Sequence, residues 1–303
     1  MIYKLSLLFA LMGLAIPALA QTTAPADGVA APTPLPPAAL RNKNEPPRKP
    51  GQPTLWLVGD STVKVSTPGQ QGWGTPLAAM FDANRVRVIN RAIGGRSSRT
   101  FITEGRWDAV LADAEKGDFV LIQFGHNDGG ALSGDNRERG SIKGTGDETQ
   151  DVTLTLGDNK DKPYTVHTYG WYMKKYATDA KAKGLTPIIC SYIPHGPRLD
   201  RPFTFEAEPK PTGYRLWAEE SAKATGAHYI DLYGLIWKTY AGKTPEQIKA
   251  DYFTPDEPNN THTSPNGAKH NAECVAEGIR SLKDLPLASF LKPADAAEST
   301  TKP

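Results

Sequence analysis

An α/β fold, with a parallel sheet covered by helices on both faces, is predicted by three observations. Five short apolar runs, at residues 55–59, 86–90, 119–124, 186–192 and 229–232, alternate with helix-length segments, the pattern of repeated βαβ units. The first and third runs are continuously apolar, as strands buried on both faces are. The first three runs lead into the polar loops Gly59-Asp60-Ser61, Gly94-Gly95-Arg96 and Gly125-His126-Asn127-Asp128. In an open α/β sheet, such loops line the edge where ligands bind.

Taken in order, the run 55–59 is the first strand, and Gly59 permits a sharp turn at its end. Residues 73–81 read as a helix with Leu77, Met80 and Phe81 on one face, and 86–90 as the second strand. Residues 107–114 are helical, with Trp107, Val110 and Leu111 together, and 119–124 is the third strand. Residues 129–163 are rich in Gly, Asp and Lys, with one strand-like run at 152–156. A loop that long inside a domain is usually functional or disordered, and this one is expected to cover one side of the site. Helices follow at 169–183, 214–225 and 236–240, with strands at 186–192 and 229–232 between them. Ser264-Pro265 opens a last helix that runs to about residue 282 with Ala272, Val275, Ala276 and Ile279 inward.

The chain has 303 residues and a formal net charge of +2, a balance without a nucleic-acid signature. Residues 1–20 combine Lys4, an apolar run and Ala18-Leu19-Ala20, which fits a signal peptide cut after Ala20. No cysteine stands directly after the cut, so no membrane anchor is expected after cleavage, and the location predicted is periplasmic or extracellular. Residues 21–53 are rich in Pro, Ala and Thr and read as a disordered spacer, with a flexible tail at 292–303. A single domain is left at 54–291, with an insert at about 130–163. Cys190 lies in an apolar strand and Cys274 in a helical stretch, so two buried free thiols are expected.

If the sheet is parallel, the three loops meet Thr261-His262-Thr263 at one edge. That assembles Ser61, His262, Asn127 and a glycine amide, the nucleophile, base and oxyanion donors that acyl transfer needs. These blocks, Gly59-Asp60-Ser61-Thr62, Gly95, Gly125-His126-Asn127-Asp128 and Thr261-His262-Thr263, resemble those of the SGNH (GDSL-like) hydrolases. The longer strings Gly72-Trp73-Gly74, 92–101, 124–130 and 261–268 look like those of rhamnogalacturonan acetylesterases. The resemblance implies a flavodoxin-like three-layer α/β/α sandwich with a five-stranded parallel sheet. It implies Ser61 as nucleophile, His262 as general base and acid, and an oxyanion hole from the amides of Ser61 and Gly95 and the Asn127 side chain. It further implies a secreted serine esterase needing no metal or cofactor. Its partner would be an acetylated cell-wall polysaccharide or oligosaccharide, acetylated rhamnogalacturonan first, with xylan or broad ester specificity as the alternatives.

One position departs from the family pattern: the orienting aspartate belongs three residues before the histidine, where Asn259 stands. Either Asn259 or a backbone carbonyl supports His262, or the loop bends so that Asp256 reaches the ring; the family's spacing favours the first. Arg96 and Arg99 fit two roles, structural ion pairs or bidentate partners of substrate carboxylates. Trp73 fits a core position or a sugar-stacking platform. His126 is expected to order its loop. The remaining histidines lack metal-ligand spacing, which disfavours a metal-dependent deacetylase. A non-catalytic glycan-binding protein would keep the fold and release no acetate.

Overall fold

The structure, a computed structural model, describes residues 44–156, 160–197, 209–255 and 260–293. Its centre is a five-stranded parallel sheet of β1 (Thr54–Gly59), β2 (Arg87–Asn90), β3 (Phe119–Gln123), β6 (Thr186–Cys190) and β7 (His228–Ile230). The strand order is β2-β1-β3-β6-β7. The order reverses between β1 and β3, so the loops after these two strands diverge and leave a crevice at the carboxyl edge. All residues of β1 and β3 are buried.

The alternation of side chains along β1 builds two cores. Leu55 and Leu57 face α1 (Gly74–Ala79), α6 (Leu232–Thr239) and α8 (Pro265–Ser281), meeting Leu77, Ile236 and Val275. Trp56 and Val58 face α3 (Arg106–Asp113), α4 (Tyr169–Ala182) and α5 (Gly213–Thr225), meeting Trp107, Tyr176 and Ala218. The result is the expected three-layer sandwich. In α8, Ala272, Val275, Ala276 and Ile279 are inward, as its spacing predicts. Cys190 and Cys274 are both buried and free. Among the described residues no helix is long and apolar enough to cross a membrane.

Several expectations need correction. The spacer does not extend to residue 53. Arg48 pairs bidentately with Asp118 at 2.8 and 2.7 Å, and Arg91 pairs with Glu45, so residues 44–53 belong to the domain. Asp118 justifies this docking: burial opposes its charge, but Arg48 and the amides of Glu115 and Thr54 outweigh burial and hold its carboxyl below the usual range. At the other end, Lys292 donates its N–H to Met80 O at 2.9 Å and so belongs to the domain, while residues 294–303 of the expected tail lie outside the described residues.

The insert holds an antiparallel hairpin, β4 (Thr149–Thr153) and β5 (Pro163–His167), so its strand lies earlier than the run 152–156. β4 is largely exposed and therefore lacks the apolar signature by which buried strands are read. Two helices escaped the periodicity argument. α2 (Ser98–Thr103) is six residues long, too short to show a period, and is nucleated by a Ser97–Thr100 capping box. α7 (Pro245–Tyr252) buries little beyond Ile248 and starts with a Thr244–Gln247 capping box.

Candidate active site

Ser61 is placed by a turn that only glycine permits. A Cβ on Gly59 would lie 2.5 Å from Val63 Cγ2 and 2.6 Å from Gln123 O. The chain folds over at once, with the N–H groups of Val63 and Lys64 both donating to Asp60 O, at 3.2 and 3.1 Å. Gly72 and Gly74 press against this elbow: added Cβ atoms would sit 2.3 Å from Val63 C and 2.4 Å from Asn90 Nδ2. The Gly-Trp-Gly string is thus the packing partner of the nucleophile turn.

Trp73, between these glycines, is fully buried. Its Nε1–H donates to Gln123 Oε1 at 2.7 Å. Gln123 Nε2 donates to Thr62 Oγ1 at 2.6 Å, and the Thr62 hydroxyl donates to Asp60 Oδ1 at 2.8 Å. This corrects the sugar-platform role: Trp73 braces the floor behind Ser61 and cannot meet a sugar. Burial pushes the Asp60 carboxyl up to about 7, against the two donors of Thr62.

The second loop approaches from β2. A Cβ on Gly94 would make an ordinary 3.5 Å contact with Ser61 Cβ, and Gly95 has φ +79, a conformation suited to glycine. Asn127, after β3, donates its Nδ2–H to Arg96 O at 2.8 Å, which couples the third loop to the second. Asp128 tightens that coupling by accepting from Ser98 N at 3.2 Å and from the hydroxyls of Ser98 and Ser141. Among the described residues, the N–H groups of Ser61 and Gly95 donate no hydrogen bond. They remain available to an incoming oxygen.

Arg96 lines the cleft, but its guanidinium is held by Glu104 at 3.0 Å and Gly94 O at 3.1 Å. Arg99 is buried and donates twice to Leu132 O, at 3.0 and 3.1 Å. The substrate-binding alternative for Arg99 is therefore corrected: it anchors the start of the insert from below.

His262 reaches the site from the opposite end of the chain. Phe253 and Thr263 form an antiparallel bridge, and Gln71 and Thr263 exchange hydrogen bonds of 2.9 and 2.8 Å. Ser264 caps α8 through Gly267 N. A Cβ on Gly267 would lie only 2.0 Å from Tyr252 O, so α7 and α8 touch backbone to side-chain-free backbone here. α7, invisible to the sequence argument, thus sets where the histidine loop runs. The outcome is a distance of 2.8 Å between His262 Nε2 and Ser61 Oγ, a nucleophile and base in direct contact. Asn259 and Asp256 lie outside the described residues.

His126 stands edge-on to Tyr192 and His195, with ring centroids 5.1 and 4.9 Å away. Burial, then the nearby His195 and His262, push its pKa well below the ordinary range and keep it a neutral ring. Among the described residues no group of three His, Cys, Asp or Glu side chains could hold a metal.

Ser61, Gly95, Asn127 and His262 all line one open cleft of about 1240 Å³. The insert contributes Arg137, Arg139 and Leu156 to its wall, as its position in the chain predicts. Tyr192, Tyr233 and Trp237 add an aromatic part. The two insert arginines and the aromatic residues were missed from the sequence. The available signal was two arginines in a Gly- and Asp-rich stretch directly after the Asn127 loop.

Residues 57–270 match the GDSL-like Lipase/Acylhydrolase family. The chain is 35% identical over 227 residues to a rhamnogalacturonan acetylesterase of Emericella nidulans, covering 75% of this chain and 84% of that protein. It is 31% identical over 236 residues to YesY of Bacillus subtilis, a probable rhamnogalacturonan acetylesterase, covering 77% of this chain and 94% of that protein. The solved structure of YxiM from Bacillus subtilis superposes with a TM-score of 0.56 at 23% identity. That match covers 76% of this chain and 56% of the YxiM chain, just over half its length, and bears on fold alone. With the serine turn, the glycine and asparagine loops and the histidine loop in family order and converging on one cleft, this chain belongs to the GDSL-like lipase/acylhydrolase family and is a carboxylic ester hydrolase.

Proposed function

We propose that this protein is a secreted polysaccharide acetylesterase that removes O-acetyl groups from acetylated rhamnogalacturonan by a serine mechanism. The observation that carries the reading is the 2.8 Å contact of His262 Nε2 with Ser61 Oγ in a cleft large enough for several sugar units. The similarity to proteins named rhamnogalacturonan acetylesterases supports the substrate, and the signal-like residues 1–20 support export.

In this mechanism His262 Nε2 takes the Ser61 hydroxyl proton as Oγ attacks the acetyl carbonyl. The oxygen that gains charge accepts from Ser61 N–H, Gly95 N–H and the Asn127 amide hydrogen not engaged by Arg96 O. His262 then passes the proton to the departing sugar oxygen as the ester C–O bond breaks, leaving acetyl-Ser61. His262 then takes a proton from a water that attacks the acetyl carbonyl, and returns it to Ser61 Oγ as that ester bond breaks and acetate leaves. The reading assigns the support of His262 to Asn259, at the family's spacing from it, or to a backbone carbonyl; neither supplies a negative charge to the imidazolium.

The test is acetate release from a panel of acetylated pectins and xylans, with Ser61→Ala alongside. Release from acetylated rhamnogalacturonan, lost by at least about 10³-fold in the variant, supports the reading. Faster release from xylan would move the substrate, and activity persisting in Ser61→Ala would remove the serine mechanism.

A further inference from the structure

The charge in the cleft is one-sided. Its charged lining residues are Arg96, Arg137 and Arg139 against Glu104 alone. Glu104 is already shared, accepting from Arg96 at 3.0 Å and from Arg106 at 2.5 Å. Arg137 and Arg139 differ from Arg96. No carboxylate among the described residues lies within ion-pair distance of either. Asp135, two residues before Arg137, spends an oxygen on the backbone N–H groups of Arg137 and Glu138.

Arg139 is half-buried, and its one polar contact is a long one, Nη1 to Gly95 O at 3.5 Å. That contact places the guanidinium beside the glycine whose amide faces the reacting oxygen. Burial of this cation, with Arg137 next to it, pushes its pKa down from the ordinary arginine value, so holding it without a partner is unfavourable. The position is also braced. Glu138 accepts from Gly134 N at 2.9 Å and from both N–H and O–H of Thr155 at 2.7 Å, which locks the loop between the two arginines to the hairpin. A braced loop that presents two guanidinium groups without a carboxylate in ion-pair contact, at the edge of an ester-cleaving centre, suits an anionic substrate. A neutral polymer would leave both cations unpaired.

We propose that Arg139, with Arg137, receives the carboxylate of a uronic-acid unit of the acetylated polysaccharide. The proposal deepens and rests on the acetylesterase reading above: it assigns substrate choice to residues of the insert.

The experiment compares kcat/KM on two matched substrates, an acetylated rhamnogalacturonan oligosaccharide and the same material after its carboxyls are reduced to primary alcohols. Wild type should prefer the acidic form by about 10- to 100-fold, the range expected for a charged hydrogen-bonded contact, mainly through KM. In Arg139→Gln that preference should fall to within about 3-fold, and Arg139→Lys should retain part of it. Arg137→Gln, at an exposed position that tolerates substitution, should lower the preference less and gives a second readout should Arg139→Gln fold poorly. Equal rates of wild type on both forms would overturn the proposal while leaving the esterase intact. So would an equal loss on both forms in Arg139→Gln, which would mark Arg139 as a mere support of Gly95. No acetate from either form with wild type would overturn the acetylesterase reading itself, and this proposal with it.

Discussion

Asn127 donates one amide hydrogen to Arg96 O and lines the cleft, and the proposed mechanism gives its other amide hydrogen to the reacting oxygen. Asn127→Ala should therefore lower kcat on any acetate ester by about 10²- to 10³-fold with a small change in KM. Steady-state kinetics on a small aryl acetate measure this without the polymer. The residue that supports His262 is tested by a pair of variants. Asn259→Asp should raise turnover by restoring the charge that stabilises an imidazolium, and Asp256→Ala should stay within a few-fold of wild type. A thousandfold loss in Asp256→Ala with Asn259→Ala near wild type would make Asp256 the orienting residue.

At the scale of elements, the catalytic pair depends on how α7 meets α8. Gly267 is the contact point, since an added methyl would stand 2.0 Å from Tyr252 O. Gly267→Ala should force the helices apart at a cost of about 1–3 kcal/mol. It should also shift the His262 loop and lower kcat by about 10²-fold, the scale of a misplacement near 1 Å. A thermal melt and an aryl acetate assay read the two effects. The insert is held in a comparable way by Glu138, whose carboxylate joins the 134–139 loop to Thr155. Glu138→Ala should raise KM for the polymer by about 10-fold, roughly the loss of one charged hydrogen-bond contact. The aryl acetate should respond much less, because Ser61, Gly95 and His262 are held by other elements. Equal effects on both substrates would argue against a role of the insert in substrate choice.

For the whole molecule, two buried carboxyls make stability depend on pH. Asp60 is pushed up to about 7 and Asp128 to about 6, both mainly by burial. Between about pH 4 and 7 the folded chain keeps these protons while the unfolded chain, at ordinary carboxyl values near 4, has released them. Fewer protons bound in the unfolded state mean that stability falls as pH rises through this window. The contribution is whole below about pH 4 and gone above about pH 7. Asp60→Asn keeps a carbonyl acceptor for Thr62 and cannot ionise. Its Tm should decline less than that of wild type between about pH 4 and 7, with Asp128 leaving a shallower slope up to about pH 6. Parallel melting curves at the two ends of the window test this, and identical slopes would mean that Asp60 is ionised when folded.

Much of this was legible in the chain itself. The continuous apolar runs of β1 and β3 point to a sheet buried on both faces, because runs this short, bounded by glycine and polar loops, fit strands whose side chains on both faces are hidden. Gly59, Gly95, Asn127 and His262 could be read because each stands at the end of a strong local signal, a strand terminus or a Ser-Pro helix start. What the sequence alone left open depended on distant partners. Trp73 offers the same indole to a sugar or to a core, and only the approach of Gln123, 50 residues away, decides for the core. Arg48 looks like part of a charged linker until Asp118, 70 residues on, is brought beneath it. Arg96, Arg99, Arg137 and Arg139 are chemically alike along the chain. Tertiary structure separated them, because burial and the nearest acceptor are set by elements far away in sequence. It gave Arg96 a carboxylate and Arg99 a carbonyl, and it left Arg137 and Arg139 facing the cleft.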